Sequence, residues 1–199
     1  MIAQFLDALG IAEVDLVAND SGGAVAQIFA AHHPQRLTLT NCDVHDNWPP
    51  VLTKPMCDAA RAGTLLDSYF ALVGDAPMRH TRLARAFADP TVLTDDVYRV
   101  YIDPLRSTPQ RRDDFHRYWT SFDNRQTTAI EPLLRQLRVP TLVVWGLDDR
   151  FFGVEWAHWL AATIPGVVQV VEVPGAKLFF AEDRPHALLT PLRAFLEAH

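Results

Sequence analysis

Cysteine is scarce. Cys42 and Cys57 are the two in 199 residues, too few for a scaffold held by disulfides. That scarcity fits a reducing compartment, so a cytoplasmic location is expected. No apolar run approaches the roughly 20 residues that a membrane-crossing helix needs. Positive charge is not in excess either. The net charge of −6 argues against nucleic acid or an anionic membrane surface as a main partner. Met1 is followed by an amphipathic segment, without a basic stretch and apolar core, so no secretory leader is expected. His, Cys, Asp and Glu show no metal-ligand spacing, and Gly22-Gly23 alone is not a phosphate loop. No metal or cofactor is therefore expected. Repeats and low-complexity tracts are missing too.

What is present is enough to build a core: 49% of residues are apolar and 21% charged, a balance that disfavours disorder. Ile2, Phe5, Leu6 and Leu9 recur at helical spacing, and Gly10 stops that helix. Val14 to Ala18 reads as a short buried strand of the parallel type. Gly22 to His33 reads as a helix with Val25, Ile28 and Phe29 on its core side, closed by Pro34. Leu37 to Cys42 is a second strand, which makes a right-handed strand–helix–strand crossover.

The character changes after Asp43. Pro49, Pro50 and Pro55 cluster, and amphipathic helical stretches follow, with Arg79, Arg82 and Arg85 at helical spacing. Tyr98, Tyr101, Phe115, Tyr118, Trp119 and Phe122 supply aromatics. The strand pattern returns at Val139 to Gly146. A helix carrying Trp156, Trp159, Leu160 and Ile164 follows, then a strand from Val167 to Val173. The last helix, Pro185 to Glu197, is expected to turn Leu188, Leu189, Leu192, Phe195 and Leu196 inward. The expected organisation is core residues 1–46, an all-helical insertion of the size of a lid at 47–130, and core residues 131–199.

The chemistry centres on Ala18-Asn19-Asp20-Ser21-Gly22-Gly23. An apolar strand ends, an acid sits at the bend, and glycines open a helix. Small residues let strand and helix backbones approach closely there. A carboxylate at such a tip can attack carbon and form an ester, and helix N–H groups favour its ionised form. The bland alternative is an N-cap aspartate. Ser21 also matches the tail of a Gly-Asp-Ser-Gly-Gly signature, but that belongs to an all-β fold with a different residue order. Its backbone N–H suits an oxyanion site instead. Asp148 and Asp149 follow the strand end at Trp145-Gly146-Leu147, and Asp149 is preferred as an acid that could orient a base. His45, in the loop Asp43-Val44-His45-Asp46-Asn47-Trp48, begins at the same sheet edge and could approach Asp20. Trp48 is a further candidate for substrate contact.

With these stretches, and with Val173-Pro174-Gly175-Ala176-Lys177-Leu178-Phe179-Phe180-Ala181-Glu182-Asp183-Arg184-Pro185, the chain resembles an α/β-hydrolase of the lidded type that includes epoxide hydrolases and haloalkane dehalogenases. The resemblance implies a partial α/β-hydrolase fold: about four parallel strands flanked by helices, with an inserted all-α lid. It also implies Asp20 as nucleophile, Asp149 as triad acid, and a small-molecule substrate or ligand. Two departures stand out. Register through Pro174 and Pro185 puts Leu178 where the family carries its histidine, and leucine cannot take a proton from water. The strands that the family places before the first helix are not in this sequence. The strand at Val14–Ala18 should therefore show a bare edge and favour self-association. Ser21 stands where the dehalogenases carry a tryptophan; epoxide hydrolases use lid tyrosines, and Tyr98 and Tyr101 are two tyrosines of the expected lid, three apart on one helix face, with packing against the core as the bland alternative. C–O cleavage is thus favoured over C–halogen cleavage. The alternative is a catalytically inactive binder or a truncated fragment.

Overall fold

The structure, a computed structural model, describes residues 1–33, 36–74 and 84–199, with the side chains of residues 72–74 and of Tyr98 outside the description. Pro34, Arg79 and Arg82 lie outside it as well, so the expected helix stop and the arginine spacing are not placed. Arg85 falls in a short 3-10 turn, Ala84–Ala86.

Helix α1 (Ile2–Leu9) ends at Gly10, whose left-handed φ of 66° favours glycine. Strand β1 (Asp15–Asp20), helix α2 (Ser21–His32) and strand β2 (Arg36–Cys42) form the crossover unit. Strands β3 (Thr141–Gly146) and β4 (Val167–Val173) complete a four-stranded parallel sheet in the order β1-β2-β3-β4. Alternation along β3 shows both faces covered. Val143 and Trp145 join the larger cluster, with Ala26 and Ala30 of α2 and with Ala157 and Leu160 of α9 (Val154–Thr163). Leu142 and Val144 join the second cluster, with Phe195 of α11 (Pro185–Ala198).

Two side-chain expectations change. In α2 the buried residues are Gly23, Ala24, Ala26, Gln27 and Ala30, whereas Val25 is 45% exposed. The helix lies closest to the sheet at Gly23, where a Cβ would collide with Cβ and Sγ of Cys42. In α11, Leu189 points outward, while Leu188, Leu192, Phe195 and Leu196 pack.

Between β2 and β3 the described elements are all helical: α3 (Lys54–Arg61), α4 (Leu65–Gly74), α5 (Asp95–Arg106), α6 (Pro109–Thr120), α7 (Arg125–Ala129) and α8 (Glu131–Leu134), with 3-10 turns at Ala84–Ala86 and Pro90–Val92. Threonine caps start the two longest: Thr94 accepts from Val97 N and Thr108 from Arg111 N. These helices bury an aromatic layer above the sheet, in which Trp48 meets Phe122 edge-on at 5.7 Å and Trp119 stacks on Phe122. The short α10 (Phe180–Asp183) precedes α11.

Among the described residues β1 pairs with β2 alone. On its other side Leu16, Val17, Ala18 and Asn19 line an open groove of about 670 Å³, and Val17 is 48% exposed.

Candidate active site

The turn that ends β1 is built by neighbouring bonds. Register between β1 and β2 slips after Ala18, so that Ala18 faces Leu39 but Asp20 faces Cys42. Such a bulge re-aims the chain at a sheet edge. The Asn19 amide then donates to Thr40 Oγ1 at 2.8 Å, to the Asn41 carbonyl at 3.1 Å and to the Leu178 carbonyl at 3.0 Å. These bonds hold Asp20 at φ 53° and ψ −137°. A non-glycine residue adopts that conformation at a cost of about 1–3 kcal/mol and persists there where its surroundings over-determine it. Asp20 occupies the N-cap position of α2, but its side chain makes no capping hydrogen bond. The close approach falls at Gly23, not Gly22, since a Cβ on Gly22 would meet open space.

Above the turn lies a cavity of about 250 Å³, whose floor includes Asp20, Asp43 and Leu178. Its walls are mostly aromatic: Tyr69, Tyr118, Trp119, Phe122, Phe151, Phe152 and Phe179. Burial pushes the Asp20 carboxyl up to about 6, against a lowering by the Ser21 backbone N–H. The helix end therefore does not dominate, although the ionised form still prevails at pH 7 by about tenfold. Asp43 lies one residue past β2, its N–H donating to the Asp20 carbonyl at 3.2 Å. It is fully buried, and neither carboxyl oxygen has a hydrogen-bond partner among the described residues. Burial, and then the Asp20 charge, push it up to about 8.

Asp149 sits in the loop after β3. Its Oδ1 accepts from Phe151 N at 2.9 Å, while Oδ2 is buried without a partner. Burial pushes it up to about 6, with the Asp20 charge adding and the Asn41 amide opposing. Asn41 fixes this loop: its amide donates to the Gly146 carbonyl at 3.0 Å and its Oδ1 accepts from Gly146 N at 2.7 Å. Asp148 is exposed. Leu178 is 4% exposed and lines the cavity beside Asp20, so the position expected for a histidine is filled by an alkyl side chain.

The remaining candidates are placed elsewhere. His45 has φ 49°, Nε2 bonded to Glu131 at 2.9 Å, and a ring set against Trp159 at 4.9 Å. It does not line the cavity, because the turn at Val44-His45 sends its ring toward α8 and α9. Tyr101 donates to Glu182 Oε2 at 2.8 Å on the outside and is 47% exposed. The Tyr98 side chain is outside the described residues. Ser21 and Trp48 line the groove beside β1, not the Asp20 cavity. The tyrosine that reaches the turn is Tyr118, whose hydroxyl lies 2.7 Å from Ser21 Oγ and which lines both spaces. Burial raises its pKa further. Sequence reasoning passed over Asp43 and Tyr118. The signal for Asp43 was an apolar strand that ends directly on an acid, at the sheet edge where such folds keep their sites.

The profile of the Alpha/beta hydrolase family matches residues 2–190. The chain belongs to that family. Among curated proteins, it is 30% identical over 163 residues to a 2-hydroxy-6-oxononadienedioate/2-hydroxy-6-oxononatrienedioate hydrolase of Cupriavidus pinatubonensis, covering 80% of this chain and 54% of that protein. A similarly named hydrolase of Paraburkholderia xenovorans is 30% identical over 149 residues, 73% of this chain and 49% of that one. The chain thus spans about half the length of the curated relatives it matches. Among solved structures, an alpha/beta hydrolase fold protein from Burkholderia ambifaria superposes with a TM-score of 0.79 at 26% identity, covering 96% of this chain and 69% of that one. Haloalkane dehalogenase DbeA from Bradyrhizobium elkani shares the fold, with a TM-score of 0.75 at 19% identity over all of this chain and 73% of that one.

Proposed function

We propose that the chain is a hydrolase-type protein that attacks a small apolar substrate with the Asp20 carboxylate and cleaves a C–O bond. The observation that carries this reading is Asp20 itself: a carboxylate held at a left-handed φ on a strand tip, ionised at neutral pH, on the floor of an aromatic cavity. In this reading the helices between β2 and β3 act as a lid, with Phe122, Trp119 and Tyr118 excluding water from the reacting carbon. The ester formed on Asp20 has no neutral imidazole to activate water, because Leu178 fills that place. Turnover is slow and the ester is long-lived.

The substrates named for the two relatives above are a dienedioate and a trienedioate, which carry two carboxylates each. Asp20 and Asp43 both line this cavity, and no Lys, Arg or His is among its described lining residues. A dianion would be repelled there without a compensating cation, which supports an apolar substrate. C–O cleavage is favoured over C–halogen cleavage because Ser21, with its hydroxyl held by Tyr118, offers no indole to a departing halide. The second reading, a ligand binder without turnover, is favoured by Leu178 alone. Intact-mass measurement after incubation with small epoxides separates the two. A covalent increment mapped to Asp20, and absent in Asp20→Asn, is expected. A folded protein that binds the compounds without any increment would leave only the binder.

A further inference from the structure

Two buried polar groups of the cavity lining, the Asp43 carboxyl and the Trp119 indole N–H, have no hydrogen-bond partner among the described residues, and the carboxyl is used by nothing described so far. Asp43 is fully buried, both its oxygens lack hydrogen-bond partners among the described residues, and it lines the same cavity as Asp20. A buried carboxyl that accepts no hydrogen bond is disfavoured as an anion, since transfer from water without compensation is expensive. Among the described residues no basic side chain lines the cavity to offset this. The titratable groups around Asp43 are Asp20 at the tip of β1, Cys42 at the end of β2, Cys57 on α3 and Tyr118 on α6. Three are carboxyl or thiol groups whose own pKa is raised by burial, and none of the four is a cation. Asp43 is therefore a neutral carboxylic acid at pH 7, unlike Asp20.

We propose that Asp43 is the proton donor of this site, giving its O–H proton to the oxygen that departs as Asp20 attacks, so that the fitting substrate class is a strained cyclic ether such as an epoxide. This rests on the reading of Asp20 as nucleophile. The step balances. An Asp20 carboxylate oxygen forms a bond to the less hindered ring carbon, the C–O bond of the ring breaks, and its electron pair goes to the ring oxygen. That oxygen takes the proton of the Asp43 carboxyl. The products are a hydroxyalkyl ester on Asp20 and a carboxylate on Asp43, which solvent reprotonates at neutral pH. The rival donor is the Tyr118 phenol, but its hydroxyl is engaged with Ser21 and burial makes it a weaker acid than usual. A carboxylic acid near 8 is better matched to neutral pH.

The test compares two probes on the full chain, with labelling of Asp20 followed by peptide mass. Styrene oxide needs a proton on its leaving oxygen; benzyl bromide loses bromide and needs none. In Asp43→Asn, labelling by styrene oxide should slow by about 100-fold or more, while labelling by benzyl bromide persists. In the unmodified protein, labelling by styrene oxide should rise through pH 6 and fall above pH 8, and labelling by benzyl bromide should keep only the rise. The pH comparison needs no variant, so it stands even if Asp43→Asn folds poorly. Equal loss of both probes in a folded Asp43→Asn, or a loss of styrene oxide labelling in Tyr118→Phe with none in Asp43→Asn, would overturn the assignment of Asp43. If neither probe labels Asp20 in the unmodified protein, the nucleophile reading falls and this inference falls with it. Labelling that is indifferent to Asp43 removes the inference alone.

Discussion

A neutral carboxylic acid inside the fold makes stability depend on pH in a direction opposite to most aspartates. Asp43 titrates near 8 when folded, and near 3.9 as a free side chain. Between these values the folded state binds close to one proton more than the unfolded state. The slope of unfolding free energy with pH is then negative, so stability is fully present below about pH 4 and is lost as pH rises toward 8. The slope is about −1.3 kcal/mol per pH unit between pH 5 and 7, or about 2.5 kcal/mol across that interval, as a ceiling. Part of this belongs to the pair, because the Asp20 charge is the second cause of the shift. Asp43→Asn removes the titration but leaves a buried amide, whose unmet hydrogen bonds add a penalty that does not vary with pH. The diagnostic is therefore a slope. Urea unfolding of both proteins at pH 5, 6 and 7 should show the variant gaining on the original as pH rises, by up to about 2.5 kcal/mol in total. A difference that stays constant across the three pH values would refute the neutral, buried acid.

Other consequences are more local. Gly23→Ala should prevent folding or lower Tm steeply, because its Cβ would lie inside the Cys42 side chain, while Gly22→Ala should fold normally; circular dichroism melts compare them. Leu178→His should hasten loss of the Asp20 adduct by about 100-fold or more, read as decay of the mass increment after excess epoxide is removed. Val17→Lys places a charge on the open side of β1 and should reduce any self-association that sedimentation detects at high concentration.

The sheet, its crossover and most helix positions were legible because their signals are local. Apolar runs ending in Asn19-Asp20 and Gly146-Leu147, and breaks at Gly10 and Pro174, mark strand and helix ends in the sequence itself. The place of Leu178 was legible too, since Pro174 and Pro185 fix its register, and the structure sets it beside Asp20. What could not be read is distance between elements. Val25, Ile28 and Phe29 have the right period for a core face, and Ile28 does pack against the core, but Val25 is exposed and the residues nearest Cys42 are small. His45 starts at the sheet edge, yet a left-handed turn carries it to Glu131. Tyr98, Tyr101 and Tyr118 are equivalent as letters in amphipathic helices. Only the fold sets the hydroxyl of Tyr118 on α6, and not that of Tyr101, against Ser21.

The acids around the turn also bear on why a leucine can stand at position 178. In a site with a histidine there, the free Oδ2 of Asp149 would have an imidazole to orient. Here Asp149 keeps one oxygen buried and unbonded, and its pKa is raised to about 6. Three carboxyls with raised pKa values, Asp20, Asp43 and Asp149, thus share one desolvated end of the sheet with no described basic residue lining the cavity between them. At pH 7 the arrangement lowers its own repulsion by holding the proton on Asp43. A charged imidazole would instead attract all three toward ionisation. In the proposed reading, leucine at 178 keeps a base and a cation away from Asp20 and Asp43, which favours ester formation and disfavours ester hydrolysis. The same substitution that removes the base therefore preserves the acid, and Leu178→His should shift the falling limb of styrene oxide labelling to lower pH as well as shorten the life of the adduct. A limb that stays in place while the adduct decays faster would show that histidine acts on water alone, without electrostatic reach to Asp43.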